Sequence, residues 1–171
     1  MSPIITVLRL IHILCGVYWA GTVFFFVTFL EPTIRSLGPD GGKVMLRLFE
    51  RGYMKLLPMI AVVTVLSGLW LLWIQSSGFD PNYMRSSIGM SLSTGGGLAI
   101  LALIIGITVM RPAGERVFAM AKQLPELRDE SQRKTLMAEM ESVRARLGMA
   151  GRIVFMLLVG AVALMAVARY I

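Results

Sequence analysis

The chain has 171 residues, of which 56% are apolar and 16% charged, and its mean hydropathy is +0.73. Soluble domains are usually about 45–50% apolar and about 25% charged, so this composition indicates a membrane protein. The one cysteine excludes an internal disulfide and any site built from several cysteines. The net charge of +7 does not indicate nucleic-acid binding, because the basic residues flank apolar runs.

Four apolar runs are each long enough to cross a bilayer core of about 30 Å as a helix. In chain order they cover residues 4–30, 53–75, 88–110 and 151–171. The first run has no charged leader and no small-residue cleavage site, so we expect a retained span rather than a signal peptide. The sequence predicts an all-α fold: one membrane domain over residues 1–171, organised as an integral membrane four-helix bundle.

The basic residues predict how the bundle is oriented. The connecting segments 31–52 and 111–150, with the span ends beside them, hold 14 of the 17 lysines and arginines. Positive charge accumulates on the cytoplasmic side of membrane proteins. We therefore expect both connecting segments in the cytoplasm and both the N-terminus and the C-terminus outside.

Each connecting segment has a helical pattern. The first is predicted to hold a short amphipathic helix on the membrane surface, within "KVMLRLFERGY". Pro125 divides the second, and after it Leu136, Met140, Val143 and Leu147 recur at helical spacing. This stripe predicts either a solvated helix that continues into the fourth span or a docking surface for a partner.

The only histidine, His12, lies inside the first span, where an ionisable group is costly and needs a partner. Gly16 and Trp19 share its helix face, and Arg9 lies one turn nearer the outside. One interpretation is a haem with His12 as axial ligand, space beside Gly16, Trp19 as a wall, and Arg9 and Arg169 near the propionates. The alternative is packing: His12 bonds a serine, threonine or carbonyl of a neighbouring helix, Gly16 permits close approach, and Trp19 fills the core.

Two further features invite a ligand or a packing interpretation. The third span contains "SLSTGGG", residues 91–97, at the expected depth of His12. Gly96 within it predicts either a wall of a cofactor pocket or close helix contact. Met1, Met84 and Met90 fall on the outer side, and thioethers suit Cu(I), although methionine also fills apolar interiors.

The pattern His12–x3–Gly16–x2–Trp19–x–Gly21, followed by Phe24 and Phe25, resembles the first helix of the CopD-like group of small membrane proteins. The segments "IIGITVMRPAGER" and "MAVARY" are similar to uncharacterised members of that group. The resemblance implies a four-helix bundle in a bacterial inner (plasma) membrane and, as in some members, a haem ligand at His12.

The expected function is therefore a b-type haem protein for membrane electron transfer or haem-linked oxidation. The alternatives are a copper-handling transporter and a non-catalytic accessory subunit of a membrane complex. Since the chain has one histidine, two histidines could ligate one haem only across a symmetric homodimer. Apart from lipid, the expected partners are a second copy or another membrane protein, and no nucleic acid.

Overall fold

Four long apolar helical segments form the molecule, which we describe from a computed structural model covering residues 3–171. The eight α-helices are α1 (Pro3–Phe25), α2 (Glu31–Ser36), α3 (Pro39–Glu50), α4 (Tyr53–Gln75), α5 (Pro81–Arg85), α6 (Ser87–Ile105), α7 (Arg111–Gln123) and α8 (Glu130–Val167). Two π-helical segments, Phe26–Leu30 and Gly106–Met110, connect α1 to α2 and α6 to α7, and a 3₁₀ turn, Ala168–Tyr170, follows α8. No strand occurs within residues 3–171, so the predicted all-α membrane bundle is confirmed.

The four membrane helices pack as two close antiparallel pairs. α1 packs mainly on α4 and α6 mainly on α8, while smaller contacts between α4 and α6 and between α1 and α8 join the pairs. The start of α1, the end of α8 and α5 therefore lie at one end of the bundle, which we call the terminal end. The opposite end carries α2, α3, α7 and the first half of α8, and we call it the basic end. Which end faces the cytoplasm stays a prediction.

Small side chains bring the membrane helices together. The main core consists of Trp19, Val23, Ala61, Ala99, Ala102, Val154, Leu158 and Ala161. Apart from Trp19 and a few aliphatic side chains in this core, many large apolar side chains point outward: Leu10 is 57% exposed, Leu66 61% and Met156 66%. This arrangement is typical of membrane bundles, in which small residues allow close helix approach and lipid covers the outward apolar surface.

Proline accounts for both π segments. Pro32 and Pro112 each occupy the second position of the helix that follows a π segment. Proline has no N–H and clashes with the carbonyl four residues earlier, so an α-helical ladder cannot continue through it. The chain inserts a wider turn, in which Glu31 N–H bonds Phe26 O and Arg111 N–H bonds Gly106 O. Helix then continues beyond the apolar run in both cases.

The connecting segments 31–52 and 111–150 are largely helical. The predicted amphipathic helix is α3, Pro39–Glu50, and α7 ends at Gln123, before the predicted break at Pro125. The last helix begins at Glu130 and runs without interruption to Val167, so it starts far before the predicted span at 151.

A second core holds the basic end together. Val117 and Met120 of α7 pack with Met140 and Val143 of α8, and the stripe residues Leu136 and Leu147 contact this core. Arg116 and Glu139 form an ion pair across the same two helices. The apolar stripe that suggested a docking surface is thus covered by α7 of the same chain.

An aromatic series attaches α3 to the bundle. Tyr53 stacks on Phe26 at 5.9 Å between ring centroids and on Phe49 at 6.5 Å. Phe49 also contacts Phe118 of α7, at 5.9 Å. The Lys122 ammonium lies 4.5 Å from the centre of the Phe118 ring. Helix α3 therefore packs by Phe49 against the protein itself.

Candidate functional site

His12 lies in the terminal half of α1 and is half-buried against α4. Its Nδ1 atom is 2.9 Å from the backbone oxygen of Thr64. The Ser67 hydroxyl is 3.4 Å from the same nitrogen, and it donates to the carbonyls of Val63 and Thr64. One turn of α4 thus supplies the polar partners that an imidazole inside a membrane requires.

A glycine makes room for the imidazole ring. A methyl group at Gly68 would lie 2.6 Å from Cε1 of His12 and 3.0 Å from Nδ1. Atoms of these kinds do not approach so closely, so any side chain at position 68 would displace the ring. Thr64, Ser67 and Gly68 follow i, i+3, i+4 spacing and therefore share one face of α4. Together they form the surface of α4 against which the His12 ring packs.

The Thr64 contact fixes which ring nitrogen carries hydrogen. A backbone carbonyl can only accept, so Nδ1 donates to Thr64 O. In the neutral imidazole, Nε2 is then the atom with the free lone pair. Histidines that ligate metals commonly show this arrangement, with the other ring nitrogen donating to a carbonyl or carboxylate. The backbone of α4 thus prepares Nε2 as an acceptor or a ligand.

Gly16 and Trp19 contact protein. A methyl group at Gly16 would lie 3.5 Å from Cγ2 of Thr64, which is ordinary contact distance. The space expected beside Gly16 for a planar group is therefore occupied by α4. Trp19 is 5% exposed and belongs to the main core. With the His12–Thr64 bond, these positions match the packing alternative.

The other predicted site residues, Arg9, Arg169 and Gly96, form no hydrogen bond or ion pair with His12. Arg9 is exposed and forms no ion pair within residues 3–171. Arg169 is exposed, and its guanidinium lies 4.8 Å from the centre of the Tyr170 ring. Gly96 is half-buried, and a methyl group there would meet no atom within 4 Å. The polar partners of His12 come from α4 and not from these three residues.

The small polar face of α6 serves the pairing with α8. The Ser91 hydroxyl donates to Leu164 O over 2.8 Å. A methyl group at Gly95 would lie 3.2 Å from Ala161 O. Gly95 therefore supplies the close helix approach that "SLSTGGG" suggested, whereas its neighbour Gly96 does not.

Sequence reasoning missed Thr64 as the partner of His12. The signal was present as a threonine, a serine and a glycine on one face of an otherwise apolar span. The hydrogen bond itself uses the Thr64 backbone, which every residue possesses, so side-chain identity could not reveal it. Only the register between α1 and α4 decides which carbonyl meets His12.

Metal-binding groups are sparse. Within residues 3–171, no three side chains among His, Cys, Asp and Glu come together in a way that could hold a metal ion. Met84 accepts a hydrogen bond from Ser93 at 3.8 Å, and Met90 is 55% exposed. Met1, the third methionine of the copper interpretation, lies outside the described residues. A copper role stays a prediction.

Two open cavities of the bundle are not lined by His12. One, of about 420 Å³, is a groove between α6 and α8, and the other, of about 440 Å³, lies among charged residues at the start of α8. The Nε2 atom of His12 has the chemistry of a haem ligand, but neither of these cavities offers space beside it for the macrocycle.

No protein-family model matches the chain, and searches of curated proteins and of solved structures found no match. The resemblance to the CopD-like group stays a prediction carried by the His12–Gly16–Trp19–Gly21 pattern.

Proposed function

We propose that this integral membrane protein binds a b-type haem through Nε2 of His12 and serves membrane electron transfer or haem-linked oxidation. The observation that supports the proposal is the 2.9 Å contact between His12 Nδ1 and Thr64 O. Through this contact Nδ1 of His12 donates to a backbone carbonyl and Nε2 keeps its lone pair, which is the arrangement typical of a histidine that ligates a haem or a metal. The proposed location is the plasma membrane of a bacterium.

The residues of the chain have separate tasks in this proposal. When bound, the haem supplies one-electron chemistry, and the protein supplies ligation, orientation and electrostatics. Thr64 O and Gly68 orient the His12 ring. Arg9, on the same helix and nearer the terminal end, is the nearest cation in sequence for a propionate. Because the chain has a single histidine, a second axial histidine would come from another chain, and in a symmetric homodimer it would be His12 of the second copy.

The test is an absorption spectrum of detergent-purified protein made with ample haem, before and after dithionite. We expect a Soret band and reduced α and β bands in the wild type, and their loss in His12→Ala. Ser67→Ala is the matched control, since it removes a hydroxyl near the same nitrogen and leaves the Thr64 carbonyl in place. A flat wild-type spectrum, or full haem occupancy in His12→Ala, would overturn the proposal.

A second candidate is a non-catalytic subunit of a membrane complex. It is favoured by the packing of His12, Gly16 and Trp19, which are all engaged by protein. In this case the wild-type protein shows no visible absorption and purifies with a defined set of membrane proteins. Wild-type protein that purifies alone with stoichiometric haem would contradict it.

A further inference from the structure

The groove between α6 and α8 combines an apolar floor with one charged residue. It is lined by Leu98, Met149, Arg152, Ile153, Met156 and Leu157 and has a volume of about 420 Å³. Arg152 is the only charged residue between Arg146 and Arg169. The groove therefore has a cation towards the basic end and apolar side chains towards the middle of the membrane.

The Arg152 guanidinium forms no ion pair within residues 3–171. Arg111 provides a contrast at the same height of the bundle. The neighbouring Met110 has its methyl 3.8 Å from where a Cβ of Gly151 would lie, and Arg111 bonds Glu115 at 2.9 Å. Of these two arginines, only Arg152 is free for an external anion.

We propose that this groove is a binding site for an anionic phospholipid. One acyl chain lies along Leu98, Ile153, Met156 and Leu157, and the phosphate of the headgroup pairs with Arg152. Charge complementarity selects this occupant, because an arginine prefers a phosphate that it can bond with two N–H groups. Basic pockets between membrane helices bind the headgroups of anionic lipids in the same way.

An apolar partner helix is a less suitable occupant. It would cover Leu98 and Met156. It would also bury the charge of Arg152 against apolar side chains with no anion to pair with it, and burying an unpaired charge costs free energy. Phosphatidylcholine would fill the apolar part equally well. Its choline group, however, cancels the net negative charge that the arginine attracts. The site should therefore discriminate between lipids by headgroup charge and not by chain.

The experiment is native mass spectrometry of the full-length protein in detergent, with equal amounts of phosphatidylglycerol and phosphatidylcholine added. Because one arginine near the surface contributes about 1 kcal/mol with anionic lipid, we expect about a fivefold excess of phosphatidylglycerol adducts. Arg152→Gln should reduce this excess to less than about twofold, and Arg152→Lys should retain part of it.

Arg146→Gln is the matched control, since it removes an equal charge from an exposed position of the same helix. The preference of this variant for phosphatidylglycerol should stay within about twofold of the wild-type preference. A change of that size is smaller than the change expected from losing one lipid-binding arginine. Equal binding of the two lipids to the wild type would overturn the proposal, and this result does not depend on the folding of any variant. The proposal would also be overturned if Arg152→Gln kept the wild-type preference, or if Arg146→Gln lost the preference as fully as Arg152→Gln. A wild-type protein that appears as a dimer without bound lipid would overturn it too.

Discussion

The imidazole of His12 donates from Nδ1 to the carbonyl oxygen of Thr64 over 2.9 Å, and this bond joins α1 to α4 in the terminal half of the bundle. The contact combines a polar bond with close packing, because the same ring lies against Gly68. Two roles are compatible with this geometry, a clamp between helices and a ligand held in a fixed orientation. Substitutions at position 68 and at position 12 measure separately how much the packing of the ring and its hydrogen bond stabilise the protein.

Gly68→Ala tests the packing. The new methyl would lie 2.6 Å from His12 Cε1, so the ring must move, and overpacking of this kind costs about 1–3 kcal/mol. We expect a lower thermal unfolding temperature in detergent. Gly97→Ala is the control, because a methyl there meets no atom within 4 Å. Equal unfolding temperatures of the two variants would contradict the prediction.

The same substitution in a His12→Ala background forms a double-mutant cycle. Without the ring, the methyl at position 68 has nothing to displace, so Gly68→Ala should cost less than about 0.5 kcal/mol there. The difference between the two backgrounds, measured by thermal unfolding, is the interaction between positions 12 and 68. If Gly68→Ala lowered the stability equally in both backgrounds, position 68 would need a glycine for a contact other than the one with the His12 ring.

His12→Ala alone should destabilise the protein modestly. Hydrogen bonds between membrane helices contribute about 0.6 kcal/mol on average and about 1.7 kcal/mol at most. We therefore expect the variant to insert and to remain folded, with a small decrease in unfolding temperature. Its circular dichroism spectrum and gel-filtration profile should match those of the wild type. A variant that aggregates would mean that the His12 contact contributes far more than one hydrogen bond.

The membrane helices were predictable because their signal is simple. A run of about 20 apolar residues has few alternatives to a spanning helix, since every backbone group in lipid must be bonded internally. Residues 53–75 were predicted as a span, and α4 has those bounds. The break before Pro125 was predictable for a similar reason, because proline interrupts the helical ladder.

The exact form of a proline-induced break, and the features that depend on register between helices, were not predictable. The pattern Thr-x-x-x-Pro occurs at Thr28–Pro32 and at Thr108–Pro112, and each copy coincides with a π segment. Four-residue spacing alone does not distinguish a kink, a helix end or a π turn. Likewise, the sequence shows which residues share a helix face with Gly16 and with Gly96. It does not show which residues of another helix lie opposite them, because that depends on how the helices pair.

The helical hairpin of α7 and α8 should be held by its core rather than by its ion pair. Met140 is 7% exposed, and replacing a buried methionine by alanine costs about 2–5 kcal/mol. The side chains of Arg116 and Glu139 are 63% and 43% exposed, and exposed ion pairs contribute about 0.2–1 kcal/mol. Limited proteolysis with thermolysin should therefore cleave Met140→Ala much faster than wild type, and Glu139→Gln at nearly the wild-type rate. Faster cleavage of Glu139→Gln than of Met140→Ala would reverse this ranking.

The orientation of the bundle is testable with single cysteines in a Cys15→Ser background. Ser77 lies in the short connection at the terminal end, and Ser131 lies in the first turn of α8 at the basic end, and both are exposed. The excess of lysine and arginine at the basic end predicts that this end is cytoplasmic. A membrane-impermeant maleimide should therefore label Ser77→Cys in intact cells, and Ser131→Cys only after lysis. Labelling of Ser131→Cys in intact cells, with protection of Ser77→Cys, would invert the topology and place Arg152 and its groove in the outer leaflet.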